Sequence, residues 1–204
     1  MIFENIIIGG GGKSPTMEKL FLDKIRVGGR LLLCPMASEN LVMTLSARRK
    51  WIKKLRPDIA MDFLLDGNVD LNDYDGLMIT GGSTCKLMDA LHENNLIGQL
   101  NAFRESGKTI YGASAGAIVM GRDINIDPET LSVADSAGLD WLEKSPGGGI
   151  CVATHWPDYE EIYVRKFSNE HKYRTICCPE HQGAIFDANG NLVRLIGDGV
   201  EFIN

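Results

Sequence analysis

No apolar run in the chain approaches the roughly 20 residues that a bilayer-spanning helix requires, so no membrane partner is expected. Basic residues are in deficit as well: 21 Lys+Arg stand against 27 Asp+Glu, for a net charge of −6. Such a chain repels polyanions and has no basic tract to release counterions from phosphates, which argues against a nucleic-acid partner. The densest basic stretch, Arg48 to Lys54, is broken by Trp51 and Ile52 at helical spacing, the pattern of a solvated helix face. Met1-Ile2-Phe3-Glu4-Asn5 carries an acid where a secretory leader carries Lys or Arg, and glycine cuts Ile6-Ile7-Ile8 short, so export is not expected. Cysteine is scarce and odd in number, at positions 34, 85, 151, 177 and 178, and the adjacent last pair is poorly placed for a disulfide framework. A reducing cytoplasm is the expected compartment. No C-x-x-C spacing occurs, so Cys151, Cys177, Cys178 and His181 read as structural residues rather than as a zinc site, and neither metal nor cofactor is called for. Gly12-Lys13-Ser14 matches the end of a phosphate-binding loop, but Ile7 stands where that motif needs its first glycine.

What is present is a soluble globular composition, 44% hydrophobic and 24% charged, without repeats or low-complexity stretches. Its 204 residues suit one domain, residues 1–204, with a sizeable core. Short apolar runs ending in glycine alternate with segments of helical period, which predicts an α/β three-layer sandwich around a mostly parallel, doubly wound sheet. The runs are 6–8, 31–34, 59–65, 76–79 and 109–112, with helical pattern at 17–25, 41–55, 87–91 and 96–103. Beyond Gly121 the pattern weakens. A strand at 150–152 and an acidic helix around 158–167 precede β-like runs at 175–178, 184–186 and 192–195, the last two joined by the hairpin signal Asn189-Gly190. The expectation is a parallel sheet extended by an antiparallel C-terminal piece.

Gly112-Ala113-Ser114-Ala115-Gly116 satisfies G-x-S-x-G between an apolar strand and an apolar helix start, the context in which that pattern exposes a serine hydroxyl on a strained turn. Ser114 is therefore the candidate nucleophile; packing of small residues at a tight turn is the plainer alternative. A serine nucleophile needs a base, and four histidines are available. His92 and His171 lie in polar helical stretches. His155 follows the strand at 150–152, where a doubly wound sheet presents its functional loops, and His181 is the alternative. Glu180, after Cys177-Cys178-Pro179, suits the acid that holds the imidazole tautomer, with Asp127 as the alternative. An oxyanion hole has two sources, the N–H of Ala115 and that of Gly82 in Thr80-Gly81-Gly82-Ser83-Thr84.

In order along the chain, Ile79-Thr80-Gly81-Gly82-Ser83-Thr84, Tyr111-Gly112-Ala113-Ser114-Ala115-Gly116-Ala117, Thr154-His155-Trp156 and Cys178-Pro179-Glu180 resemble the aspartyl dipeptidase (peptidase E) and cyanophycinase family of serine peptidases. Ile7-Ile8-Gly9-Gly10-Gly11 and Leu33-Cys34-Pro35-Met36-Ala37-Ser38 extend the resemblance to most of the chain. It implies a class I glutamine amidotransferase-like, flavodoxin-like sheet and a Ser–His–Glu triad in that chain order, which falls on Ser114, His155 and Glu180. It also implies small peptide substrates with N-terminal aspartate, or an acidic polymer for a cyanophycinase-like hydrolase. A monomer or homodimer is expected. The family has a further glycine and an asparagine in the oxyanion loop, where this chain has Thr80 and Ser83. Arg165 is the candidate counterpart of the family's aspartate-reading arginine, while Asp158, Glu160 and Glu161 form an acidic segment that would repel an aspartate side chain. Amidotransferase chemistry needs a thiolate where this elbow holds Ser114. A catalytically idle binding or regulatory domain on the same scaffold is the competing reading from another functional class.

Overall fold

The structure, a computed structural model, describes residues 4–12, 15–130, 136–143, 149–157 and 161–204. In chain order the first half holds β1 (Ile6–Gly9), α1 (Pro15–Leu22), β2 (Arg30–Cys34), α2 (Leu41–Leu55), β3 (Ala60–Phe63), β4 (Gly76–Ile79), α3 (Thr84–Glu93), α4 (Ile97–Glu105) and β5 (Thr109–Ala113). The second half holds α5 (Ala115–Ile118), β6 (Cys151–Thr154), α6 (Glu161–His171), β7 (Thr175–Cys178), β8 (Gly183–Phe186), β9 (Leu192–Ile196) and β10 (Glu201–Ile203). The main sheet runs β3-β2-β4-β5-β1-β8-β9. Its first five strands are parallel, and β8 and β9 add the expected antiparallel extension.

Strand periodicity divides the core between the two faces of this sheet. Ile7, Leu31, Leu33, Met78 and Tyr111 point toward α1 and α2, where they meet Met17, Phe21 and Ile52. Their neighbours Ile6, Ile8, Leu32, Leu77, Ile79 and Ile110 point the other way, toward Leu87 and Leu91 of α3 and Leu100 and Phe103 of α4. The three layers expected from the alternating pattern are thus present. Ile52 is the one side chain of α2 that is fully buried, and Arg49, Lys50, Lys53 and Lys54 are exposed, so the basic stretch is a solvated helix face. On α1, Glu18 is buried because Arg48 and the indole N–H of Trp51 both bond its carboxylate, which ties α1 to α2.

One part of the topology departs from the expectation of a single sheet. The runs at 150–152 and 175–178 form β6 and β7 of a separate three-stranded sheet, order β10-β7-β6, with the last strand unanticipated. Their apolar side chains reveal burial but carry no mark of which sheet they join. Of the expected acidic helix at 158–167, the part from Glu161 is described and runs on to His171. Asp187 closes the β8–β9 hairpin by accepting from the N–H groups of Asn189 and Asn191, in agreement with the Asn189-Gly190 signal. No helix among the described residues is long and apolar enough to cross a membrane.

The two ends of the fold are joined through Glu4, whose carboxylate accepts from Arg194 of β9 at 2.7 Å and from Lys24 at 2.8 Å. Arg194 first and Lys24 second hold its pKa at about 2, below the ordinary 4.5. A carboxyl group whose folded pKa is depressed stabilises the fold above its unfolded pKa, and that contribution fades as pH falls from about 4.5 to about 2. Glu4→Gln is expected to lose about 1–2 kcal/mol at pH 7, less than the full shift implies because the pairs are partly solvated. Urea midpoints at pH 7 and pH 3 check this; a deficit that stays the same at both would contradict it.

Candidate active site

The carboxyl ends of β1, β4, β5, β6 and β7 carry the residues singled out in the sequence. At the end of β5 the chain turns so sharply that Ser114 sits at φ 53° and ψ −126°, a region that non-glycine residues rarely occupy. The turn is fixed on both sides: the Ser114 N–H donates to the Gly9 carbonyl at 3.1 Å, and the Ser114 carbonyl accepts from Ala117 and Ile118. A Cβ on Gly116 would lie 2.3 Å from the Ile79 carbonyl oxygen, so the elbow can approach β4 only with glycine there.

From this elbow a chain of hydrogen bonds leads outward. Ser114 Oγ lies 3.0 Å from His155 Nε2, and His155 Nδ1 lies 3.2 Å from Glu180 Oε1. Because a carboxylate can only accept, the proton belongs on Nδ1, and Nε2 is left with a lone pair facing the serine hydroxyl. The Glu180 side chain is 53% exposed, so the outer end of the relay faces water. His181, the alternative base, stands on the far side of the same carboxylate, its Nε2 3.8 Å from Glu180 Oε2. Asp127, the alternative acid, bonds elsewhere: it accepts from Thr84 Oγ1 at 2.7 Å and from the Glu129 N–H at 3.0 Å.

A loop that the sequence marked only as a strand stop organises these parts. The carbonyls of Gly9, Gly10 and Gly11 accept in turn from the N–H groups of Ser114, His155 and His181, at 3.1, 2.8 and 3.1 Å. Gly11, at φ 113°, passes so close beneath the imidazole that an added Cβ would lie 2.3 Å from His155 Cε1. Four glycines in succession after a strand were the available signal, and their value here lies in close backbone approach to three different strand ends.

Ser114 and His155 open into a cleft of about 320 Å³. Ile118, Ile126, Val152 and Val164 form apolar wall, and Gly82, Thr84, Asp127 and Glu129 supply polar wall. Gly82 adopts φ 141°, and a Cβ there would lie 2.1 Å from the Ala37 carbonyl oxygen, so the loop after β4 can pack against the loop after β2 only as glycine. Its neighbour Gly81 packs directly on Ser114. Ala115 is the first residue of α5, immediately after the serine.

Arg165 is committed elsewhere: it bonds Glu161 at 2.8 Å and Glu201 at 3.1 Å, stacks over the Trp156 ring, and lies outside the lining of this cleft. Of the acidic segment, Glu161 is thereby paired, while Asp158 and Glu160 lie outside the described residues, as do Lys13 and Ser14. All five thiols are free. Burial pushes Cys34, Cys151 and Cys177 up to about 12, and Cys178 also upward, so none of these is a thiolate at neutral pH. Among the described residues no group of three or more His, Cys, Asp or Glu gathers as a metal site.

The model of peptidase family S51 matches residues 6–203. Among solved structures, a protein assigned as a peptidase E from Listeria monocytogenes EGD-e superposes with a TM-score of 0.68 at 17% identity, covering 98% of each chain. A peptidase from an acI-B1 Actinobacterium gives 0.65 at 18% identity, covering 99% of this chain and 88% of the other. At such identities these likenesses speak for the fold. Curated relatives include pyridoxal 5′-phosphate synthase subunit PdxT of Listeria monocytogenes serotype 4a, 28% identical over 52% of this chain and 59% of that protein. The same subunit from Oceanobacillus iheyensis is 33% identical over 48% of this chain and 52% of that protein. The chain thus spans about half the length of these curated relatives.

Proposed function

The chain belongs to peptidase family S51, and on that premise we propose that it is a serine-type peptidase acting on small peptides through an acyl-enzyme. The observation that carries the reading is the unbroken relay from Ser114 Oγ through both nitrogens of His155 to Glu180. In this reading Ser114 Oγ attacks the scissile carbonyl while His155 Nε2 takes the hydroxyl proton. Glu180 holds Nδ1–H and stabilises the imidazolium that forms. The carbonyl electrons move onto an oxyanion received by the N–H groups of Gly82 and Ala115, which developing negative charge favours over the ground-state carbonyl. Collapse expels the amine, which receives the proton from His155 Nε2, and leaves an ester on Ser114. A water deprotonated by the same nitrogen then hydrolyses that ester and restores the serine.

The size of the cleft supports a substrate on the scale of a single side chain or a dipeptide, near the lower end of small-molecule sites. The tested outcome is selective labelling. A fluorophosphonate probe is expected to modify Ser114 in the folded protein and not after heating, because only the fold pairs its hydroxyl with an imidazole. Peptide mapping reads the result. Equal labelling of Ser114 and of exposed serines would sink the peptidase reading and favour a binding domain on the same scaffold.

A further inference from the structure

The cleft that holds Ser114 has an electrostatic character the relay does not use. Among the described residues its lining holds two acidic side chains, Asp127 and Glu129, from the short helical turns after α5, and no Lys or Arg. Asp127 is held in place: one carboxylate oxygen accepts from Thr84 Oγ1, a buried hydroxyl, and the other from a backbone N–H. Neither bond neutralises its charge. An ionised carboxylate has about four lone-pair sites, so acceptor capacity remains toward the cavity. Glu129, itself exposed, adds a second negative charge to the same lining, while the half-buried Asp127 shares the cleft with the apolar side chains of Ile118, Ile126 and Val164, which limits the screening of its charge. Arg165, the candidate counterpart of the family's aspartate-reading arginine, is paired outside the cleft with Glu161 and Glu201.

We propose that this wall selects substrates with a cationic nitrogen on the portion that enters the cleft, an alkylammonium or guanidinium group, and disfavours a carboxylate there. The inference rests on the reading of Ser114 as the reacting group, since that is what makes the cleft a substrate site. Two sources supply the same chemistry: a Lys or Arg side chain, or the free α-ammonium of a peptide's first residue. Selection of this kind needs no new contact at the reacting atoms. It follows from complementary charge in a partly dehydrated space and weakens with salt.

The test measures binding in Ser114→Ala protein, so that selection is read whether or not the serine turns substrate over. Four ligands are compared by titration calorimetry at low salt: Nα-acetyl-lysine methylamide for the side-chain cation, alanine methylamide for the α-ammonium, acetyl-alanine methylamide as the neutral reference, and acetyl-glutamate methylamide as the anion. One cation is expected to bind about tenfold more tightly than the neutral ligand, and the anion more weakly; which cation gains names the source. Asp127→Asn, added to that protein, is expected to bring the ratio to within about threefold of unity, because amide and carboxylate have the same shape and differ in charge. Glu129 is exposed, so Glu129→Gln provides a second reading if the loss of charge at the Thr84 bond disturbs folding. Equal binding of cation and neutral ligand would overturn the proposal, as would an advantage that persists in both variants. Absence of selective fluorophosphonate labelling at Ser114 in the unsubstituted protein would instead count against the peptidase reading.

Discussion

Ser114→Ala is expected to lower peptide turnover by about 10⁴-fold or more, about 5.5 kcal/mol of transition-state stabilisation, while leaving the fold in place. The size follows from the roles proposed for the relay. Without Oγ, His155 has no hydroxyl to deprotonate and Glu180 orients an idle ring, so residues that act as a unit fail together. Fold retention follows from the elbow. Its backbone is fixed by the Ser114 N–H bond to Gly9 and by bonds from Ala117 and Ile118 to the Ser114 carbonyl, and alanine keeps all of these. A second substitution separates chemistry from strain. At φ 53° and ψ −126° any side chain is strained, by roughly 1–3 kcal/mol, whereas glycine is not. Glycine also gains more freedom on unfolding, by roughly 0.5–1 kcal/mol, which offsets part of that relief. Ser114→Gly is thus expected to be as inactive as the alanine variant yet about 1 kcal/mol more stable in urea titrations. Peptidase assays of the two variants check the first claim. A Ser114→Ala protein that turns over at an undiminished rate would remove the serine from the mechanism altogether.

Why these residues could be found in the sequence, and others could not, has a physical reason. A strand–serine–helix elbow is a local device: strand, strained serine and helix start are consecutive, so Gly112 to Gly116 display the pattern in one short stretch. His155 and Glu180 are legible at one remove, because each closely follows a strand, although those strands belong to the second sheet and reach the elbow beside the glycines that end β1. The main sheet is readable on similar grounds, from runs such as Ile6–Ile8 and Leu31–Cys34 whose residues are buried on both faces. Partner choice is different. Cys151–Thr154 and Thr175–Cys178 read as strands, yet nothing in their side chains distinguishes pairing in a second sheet from pairing in the first. Asp127 was visible as an acid but not its bond to Thr84, which joins residues 43 positions apart. Nor does a glycine report what passes above it, and so the part played by Gly9 to Gly12 emerges only when three strand ends are seen to bond one loop.

Gly11→Ala is expected to disable the site from beneath. The added Cβ would lie 2.3 Å from His155 Cε1, 2.7 Å from Nε2 and 2.9 Å from Nδ1, where ordinary contact begins at 3.4 Å. Either the ring or the loop must move by about 1 Å, and both carry the relay: the ring bonds Ser114 and Glu180, and the loop accepts from the backbones of Ser114, His155 and His181. A displacement of that size between reacting groups costs about 10²-fold in rate, so kcat/KM should fall by about 10²- to 10³-fold. Stability should fall too, by about 1–2 kcal/mol, because φ 113° suits glycine and not alanine. The backbone penalty alone is isolated by Gly28→Ala. Gly28 has φ 68°, and a Cβ there meets nothing within 4 Å, so that variant should lose about 1 kcal/mol of stability and keep its activity. Activity measured well below both melting temperatures separates the two effects. If Gly11→Ala retains the kcat/KM of Gly28→Ala, the glycine loop is a structural turn only, and the position of His155 is set by β6 rather than by the loop beneath it.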